Sequence, residues 1–189
     1  KFYWVMGIAV IYDYSVPRAY NYTSSLQLNT VLQVNSLSGS QQLWLQNVVD
    51  LMGSKGEIAY RFVDNIWNTT DPYANVSDRL VEGGGGVYTS NGRTFYADAT
   101  EWHTSPLPLE LILVISVSTV PDGVQVKFGY LNTTSYGLVW YDNVTVKVRG
   151  IESAYLLVDG YNATGGGNAY DTELVFGGMC CGEQTYFAK

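Results

Sequence analysis

Two acidic side chains two residues apart, Asp171 and Glu173, lie in the run Asp-Thr-Glu-Leu-Val-Phe-Gly-Gly over residues 171–178. Read with a period of two, Asp171, Glu173 and Val175 take one face of a strand, and Thr172, Leu174 and Phe176 the other. A carboxylate among apolar strand neighbours is costly to bury unless something uses or satisfies it. One use is a pair of carboxyls sharing a proton. At this spacing the two backbones are roughly 6–7 Å apart, so the side chains have to converge. Other chemistries have less to work with. His103 is the single histidine, so a His-based triad and a zinc site lack partners, and no metal or cofactor is expected. Residues 64–78 are rich in Asp and Asn but lack calcium-loop spacing, and read as a solvated loop. The glycine run 83–86 is not followed by Lys-Ser/Thr, so it is no phosphate loop. Cys180 and Cys181 are adjacent. A disulfide between them is strained, because their Cα atoms are only about 3.8 Å apart. Bonds to a neighbouring molecule, or two free thiols, are the open alternatives.

The elements that must position these groups read as strands. Residues 2–12 form an apolar, β-branched and aromatic run. Residues 26–35 alternate, with Leu26, Leu28, Thr30, Leu32 and Val34 on one face. Residues 42–50 put Trp44, Gln46 and Val48 on a shared face, and 57–63 form the next strand. Residues 64–78 read as an excursion and 83–86 as a glycine loop. Further strands are expected over 94–98, 109–119, 124–131, 137–149 and 154–158, with Pro121-Asp122-Gly123 turning the chain between two of them. No helix of useful length and no internal repeat is present. Many short strands with frequent turns predict an all-β, antiparallel sandwich in a single domain over 1–189.

The chain has 189 residues, 47% of them hydrophobic, enough for a substantial core. Only 14% are charged and the formal net charge is −7. The absence of a basic patch argues against a nucleic-acid partner. No stretch is long and apolar enough for a membrane helix; residues 107–120 are short and interrupted by Glu110. Sequons at Asn21, Asn68, Asn75, Asn132, Asn143 and Asn162 point to N-glycosylation and an extracellular or cell-surface location. Starting at Lys1 without a leader, the chain reads as a processed product.

Four segments in order carry a family resemblance. They are Gly7-Ile8-Ala9 with Tyr14-Ser15; Leu26-Gln27-Leu28-Asn29 followed by Leu43-Trp44-Leu45-Gln46-Asn47; Val63-Asp64-Asn65-Ile66-Trp67-Asn68; and residues 171–178. Together they resemble the thermopsin family, acid endopeptidases secreted by heat- and acid-loving archaea. Thr94-Phe95-Tyr96-Ala97-Asp98 and Trp140-Tyr141-Asp142 also fit the pattern. The chain departs from it in stopping soon after the glutamate strand, and in reading Met179-Cys180-Cys181-Gly182 where the family is glycine-rich. The segment between Gly7 and Leu26 is also short for the family.

If the resemblance extends to activity, the substrate is a peptide. Glu173 then serves as general base and acid, and the Gln46 amide orients water and donates to the oxyanion. By analogy this is the glutamic-peptidase arrangement on a jelly-roll sandwich. Asp171 is the second carboxyl of an alternative proton-sharing pair. Asp64, Asp98 and Asp142 match family positions without an assigned role. Against this stands a structural subunit of an extracellular filament. Both faces of residues 2–12 are apolar, which suits a strand within 1–15 donated to the next copy, completing its sandwich and building a homopolymer. The sequence alone leads us to expect the subunit, with the peptidase as the alternative.

Overall fold

A computed structural model of the chain describes residues 1–15, 24–54, 57–133, 135–158 and 172–178. Among these residues there are thirteen strands: β1 (Trp4–Ile11), β2 (Ser24–Ser36), β3 (Gly39–Ser54), β4 (Glu57–Asn68), β5 (Val81–Glu82), β6 (Gly86–Ser90), β7 (Arg93–Ala99), β8 (His103–Pro106), β9 (Leu109–Val120), β10 (Gly123–Asn132), β11 (Gly137–Lys147), β12 (Ile151–Leu157) and β13 (Glu173–Gly178). No helix occurs among them. The fold is the all-β antiparallel sandwich that the alternating sequence predicts.

One sheet has five strands in the order β1-β9-β10-β11-β5. The other has eight. Its main path is β12-β2-β3-β4-β7-β6, with β13 also on β2 and β8 also on β4. β12 and β13 share the outer edge of β2, β12 pairing residues 31–36 and β13 residues 24–29. The core lies between the sheets. Leu26, Leu28, Leu32, Leu43, Leu45, Val49, Phe62 and Ile66 of the larger sheet meet Leu111, Leu113, Ile115, Val124, Val126, Phe128, Val144 and Val146 of the smaller. Each of these side chains contributes roughly 1.5–3 kcal/mol through burial.

Several elements differ from the sequence reading. β4 continues through Asn68, so residues 64–68 belong to a strand rather than an excursion. Asp64, Ile66 and Asn68 are buried while Asn65 and Trp67 are half-buried. The period of two survives because the polar members lie within the sandwich instead of in solvent. β3 extends several residues beyond 42–50 at each end, and β5, β6 and β8 are short strands that the sequence did not announce. β1 pairs antiparallel with β9 of its own chain, Trp4 opposite Ser116 through Ile11 opposite Leu109. One of its faces is covered, whereas Trp4, Met6, Ile8 and Val10 are exposed. In the single chain, β1 is therefore an edge strand with a bare apolar face, not a strand buried on both sides.

Candidate active site

Two polar rows cross the larger sheet one residue apart, on opposite faces. The outer row runs Glu173, Asn29, Gln46 and Asn65, in register across β13, β2, β3 and β4. The inner row runs Asn47, Asp64 and Asp98 across β3, β4 and β7. The outer row holds the sequence-derived pair. Glu173 and Gln46 share a face, but it is the face opposite the core, because their partners Leu174 and Leu45 pack inward.

Asn29 stands between Glu173 and Gln46. Its Nδ2 donates to Glu173 Oε1 at 3.2 Å, and its Oδ1 accepts from Gln46 Nε2 at 3.1 Å. Gln46 Nε2 also donates to Gln27 Oε1, and Gln46 Oε1 accepts from Trp67 Nε1, both at 3.1 Å. A primary amide has two N–H donors. Both N–H groups of Gln46 are engaged, leaving none for water or an oxyanion. Glu173 is exposed at the end of this row. Asp171, Cys180 and Cys181 lie outside the described residues.

The inner row meets a residue from the opposite sheet. Carboxylate oxygens of Asp64, Asp98 and Asp142 lie within 4.8 Å of one another. Asp64 is completely buried, Asp142 nearly so, and Asp98 half-buried. Asp142 reaches the cluster from β11 beside a register shift: Phe128 pairs with Asp142 and Gly129 with Trp140, leaving Tyr141 as the extra residue. Such a bulge aims side chains that regular alternation would separate. Both Tyr141 and Asp142 consequently point inward. Tyr141 Oη donates to Asn47 Oδ1 at 2.9 Å, while Asn47 Nδ2 donates to the carbonyls of Val114 and Gly129.

The carboxyls are not equivalent. Asp142 accepts at both oxygens, from Tyr96 Oη at 2.5 Å and from the Gly84 amide at 3.1 Å. The Asp64 oxygens approach the Asp142 carboxyl and the Asp98 backbone, yet neither is in a hydrogen bond of acceptable geometry. Burial, followed by the charges of Asp142 and Asp98, pushes the Asp64 carboxyl up to about 9. Burial and the bond to Asp142 likewise raise the Tyr96 phenol. Tyr141 is raised by burial and then by the three carboxylates. Asp64 holds a proton across the acidic and neutral range, next to a carboxyl whose oxygens act as acceptors. That is a proton-sharing group able to activate water and protonate a leaving group. The same oxygens are a fitting donor set for one hard divalent cation.

A family model described as Thermopsin matches residues 1–189. Thermopsin from Sulfolobus acidocaldarius is 37% identical over 172 residues, covering 88% of this chain. The chain belongs to the thermopsin family. It spans about half the length of that curated thermopsin, 50% by the alignment. No solved structure matches it.

In this thermopsin-family chain, the motifs behind the resemblance thus divide between the outer face of the larger sheet and the sandwich interior. Asn29, Gln46 and Glu173 line the outer face, while Asp64, Asp98 and Asp142 converge inside. The convergence escaped the sequence reading because Asp142 comes from the other sheet and its orientation depends on the bulge. The available signal was three aspartates in family-matched segments. A cleft of about 250 Å³ opens nearby between β4, β8, β9 and β10, with Tyr60, Phe62, His103 and Tyr130 among its walls. Phe62 stacks on Tyr130 at 3.9 Å and on Tyr141 at 5.7 Å, linking this cleft to the carboxyls. His103 packs against Tyr60 in the cleft wall.

The described sequons vary. Asn75 and Asn143 are exposed and Asn132 is half-buried. Asn68 is buried, donating to the Asn75 carbonyl and accepting from the Thr70 amide, so it does not fit the expected exposed site. Asn21 and Asn162 lie outside the described residues. No helix among the described residues is long and apolar enough to cross a membrane.

Proposed function

We propose that this chain is an acid endopeptidase whose reacting centre is Asp64, Asp98 and Asp142. One observation carries the reading: Asp64 is fully buried with both oxygens unpartnered, facing two further carboxyls. A carboxyl so placed is destabilising as packing alone, and it acquires a purpose where a proton must be held and passed on. The acid-peptidase character implied by family membership fits this chemistry. A peptide is the substrate, and an extracellular site of action accords with the exposed sequons Asn75 and Asn143 as glycan acceptors.

The arrangement favours the inner cluster over Glu173 and Gln46, whose amide partners are already committed. Proteolysis of an acid-unfolded protein by the full chain tests the choice. Asp142→Asn should lower kcat by a thousandfold or more, and Glu173→Gln should retain most activity. Full activity in Asp142→Asn would eliminate the inner centre; loss confined to Glu173→Gln would reinstate the outer pair.

The filament-subunit reading keeps one supporting observation, the bare apolar face of β1 with Trp4, Met6, Ile8 and Val10 exposed. Donation of residues 2–12 to another copy would cover that face. A chain that remains monomeric by sedimentation at high concentration would remove this reading. Family membership supports the peptidase better.

A further inference from the structure

We infer that Asn47 is a positioning residue of the centre: from the larger sheet it clamps the bulge of the smaller one, and so holds Asp142 against Asp64. The inference rests on the carboxyl centre proposed above and assigns it a working part that is not a carboxyl.

Asn47 is fully buried on β3, opposite Asp64 on β4. A core position does not favour Asn, since each of its polar atoms must find a partner there. Its three bonds all reach the other sheet. Nδ2 donates to the Val114 carbonyl of β9 at 2.9 Å and to the Gly129 carbonyl of β10 at 2.8 Å. Oδ1 accepts from Tyr141 Oη of β11 at 2.9 Å. One side chain thus ties three adjacent strands of the smaller sheet to the strand beside Asp64.

These bonds fall at the bulge. Val114 and Gly129 stand opposite each other on β9 and β10. Gly129 begins the shifted register, opposite Trp140. A bulge disrupts the ladder locally, and a buried carbonyl there still needs a donor. On one side of Gly129 lies the Trp140 ring, so close that a Cβ would come within 2.5 Å of its Cε3. From the core side the Asn47 amide takes the Gly129 carbonyl and the Tyr141 hydroxyl together. Tyr141 and Asp142 are consecutive, yet both point inward. Asp142 faces Asp64 only while this irregularity is kept.

The same geometry sets the hydrogens. Both amide hydrogens of Asn47 go to carbonyls, which leaves Oδ1 as the acceptor for Tyr141. A phenol has one hydrogen. Tyr141 gives it to Asn47, so none remains for Asp64, whose oxygens stay without a donor. Asn47 therefore fixes where Asp142 stands and keeps the Tyr141 hydrogen away from Asp64. It exchanges no proton itself.

Asn47→Leu in the full chain tests this, because Leu is close to Asn in shape and removes all three bonds. Two readouts are taken at the acidic assay pH, well below the thermal midpoint of the variant. In proteolysis, kcat should fall about 10²-fold, the effect of misplacing a reacting group by about 1 Å, while KM stays within about threefold. The second readout is the amide proton resonance of Gly84, whose N–H donates to Asp142 Oδ1 and so reports where that carboxyl stands. It should move upfield as the bond is lost. A purely structural Asn47 would lower the thermal midpoint and leave this resonance in place. A kcat within about threefold of the parent, far from the loss that misplacement produces, overturns the inference, and so does an unmoved Gly84 resonance. Should Asn47→Leu fail to fold, Tyr141→Phe decides. It removes only the bond between the bulge residue and Asn47, and keeps the ring that stacks on Phe62. The Gly84 resonance should again move upfield, and kcat should fall about three- to tenfold, the range of one hydrogen bond; either one unchanged rejects the proposal. Asp142→Asn run alongside separates the two claims. An inactive Asp142→Asn beside a fully active Asn47→Leu rejects only the role of Asn47. A fully active Asp142→Asn rejects the carboxyl centre itself, and the Gly84 resonance then still decides whether Asn47 holds Asp142 in place.

Discussion

Asp64 of the larger sheet and Asp142 of the smaller meet across the sandwich interior, where core positions would ordinarily carry Leu or Val. Asp142 is furnished with two donors, whereas Asp64 has none. Burying the pair is unfavourable unless at least one member is protonated. Acidic surroundings are therefore the condition under which this interior is comfortable.

Stability should consequently fall as pH rises. The folded Asp64 carboxyl is pushed up to about 9, against 3.8 as its ordinary value. The folded state retains a proton that the unfolded chain releases above its own pKa. This contribution is fully present below about pH 4 and is lost as pH climbs toward 9. Urea unfolding at pH 4, 6 and 8 should show a declining midpoint, and Asp64→Asn should flatten the decline. Parallel slopes for the two proteins would contradict the assignment.

Chelation should leave acid proteolysis unaffected. Asp64 keeps its proton in acid, which lowers the charge the cluster offers a hard cation, so its capacity to bind one is not engaged there. Activity assayed in acid before and after exhaustive EDTA treatment should agree. A loss restored by added calcium would mean that a cation, not a proton, occupies the cluster.

Tyr96 should act through Asp142. Tyr96→Phe removes the hydroxyl that donates to Asp142 and accepts from Gly85. Hydrogen bonds to charged groups contribute about 1.5–3 kcal/mol, so kcat should drop roughly ten- to hundredfold. Unchanged kcat would place Tyr96 outside the machinery.

Gln46 should matter for folding rather than chemistry. It joins Gln27, Asn29 and Trp67 in one network. Gln46→Ala strands those partners and should destabilise the protein by about 2–4 kcal/mol. Activity per folded molecule should stay close to that of the parent. Thermal denaturation and active-site titration together measure the two effects.

The alternation over residues 26–35 and the apolar run over 109–119 made the sandwich legible, since period two assigns faces without knowledge of partners. The pairing of Glu173 with Gln46 on one face was legible for the same reason. Which face was not, because Leu174, Leu45 and their neighbours decide it only through tertiary packing. Asn29 lay within a recognised motif, yet its position between Gln46 and Glu173 depends on β13 pairing with β2 across more than a hundred residues. The carboxyl centre was less legible still. Asp64 looked like loop because polar residues usually seek water, and Asp142 turns inward beside a bulge. The four glycines looked like a loop signal, and only the closeness of Gly83, Gly84 and Gly85 to Tyr96, Asp98 and Asp142 shows that bare backbone is needed beside the carboxyls.

The division of the aspartates between sheets has a kinetic consequence. Asp64 and Asp98 belong to the chain of β2, β3, β4 and β7, whereas Asp142 belongs to the β9-β10-β11 meander. Each group can form hairpins from near neighbours, but docking the two requires contacts between remote segments, which form slowly in β proteins. Before docking, Asp64 and Asp98 can face each other within their own sheet, but Asp142 is absent and the three-carboxyl cluster is incomplete. If the proposed carboxyl centre is the catalyst, a nascent or threading chain is thus unarmed, and the centre is assembled only when the two halves close.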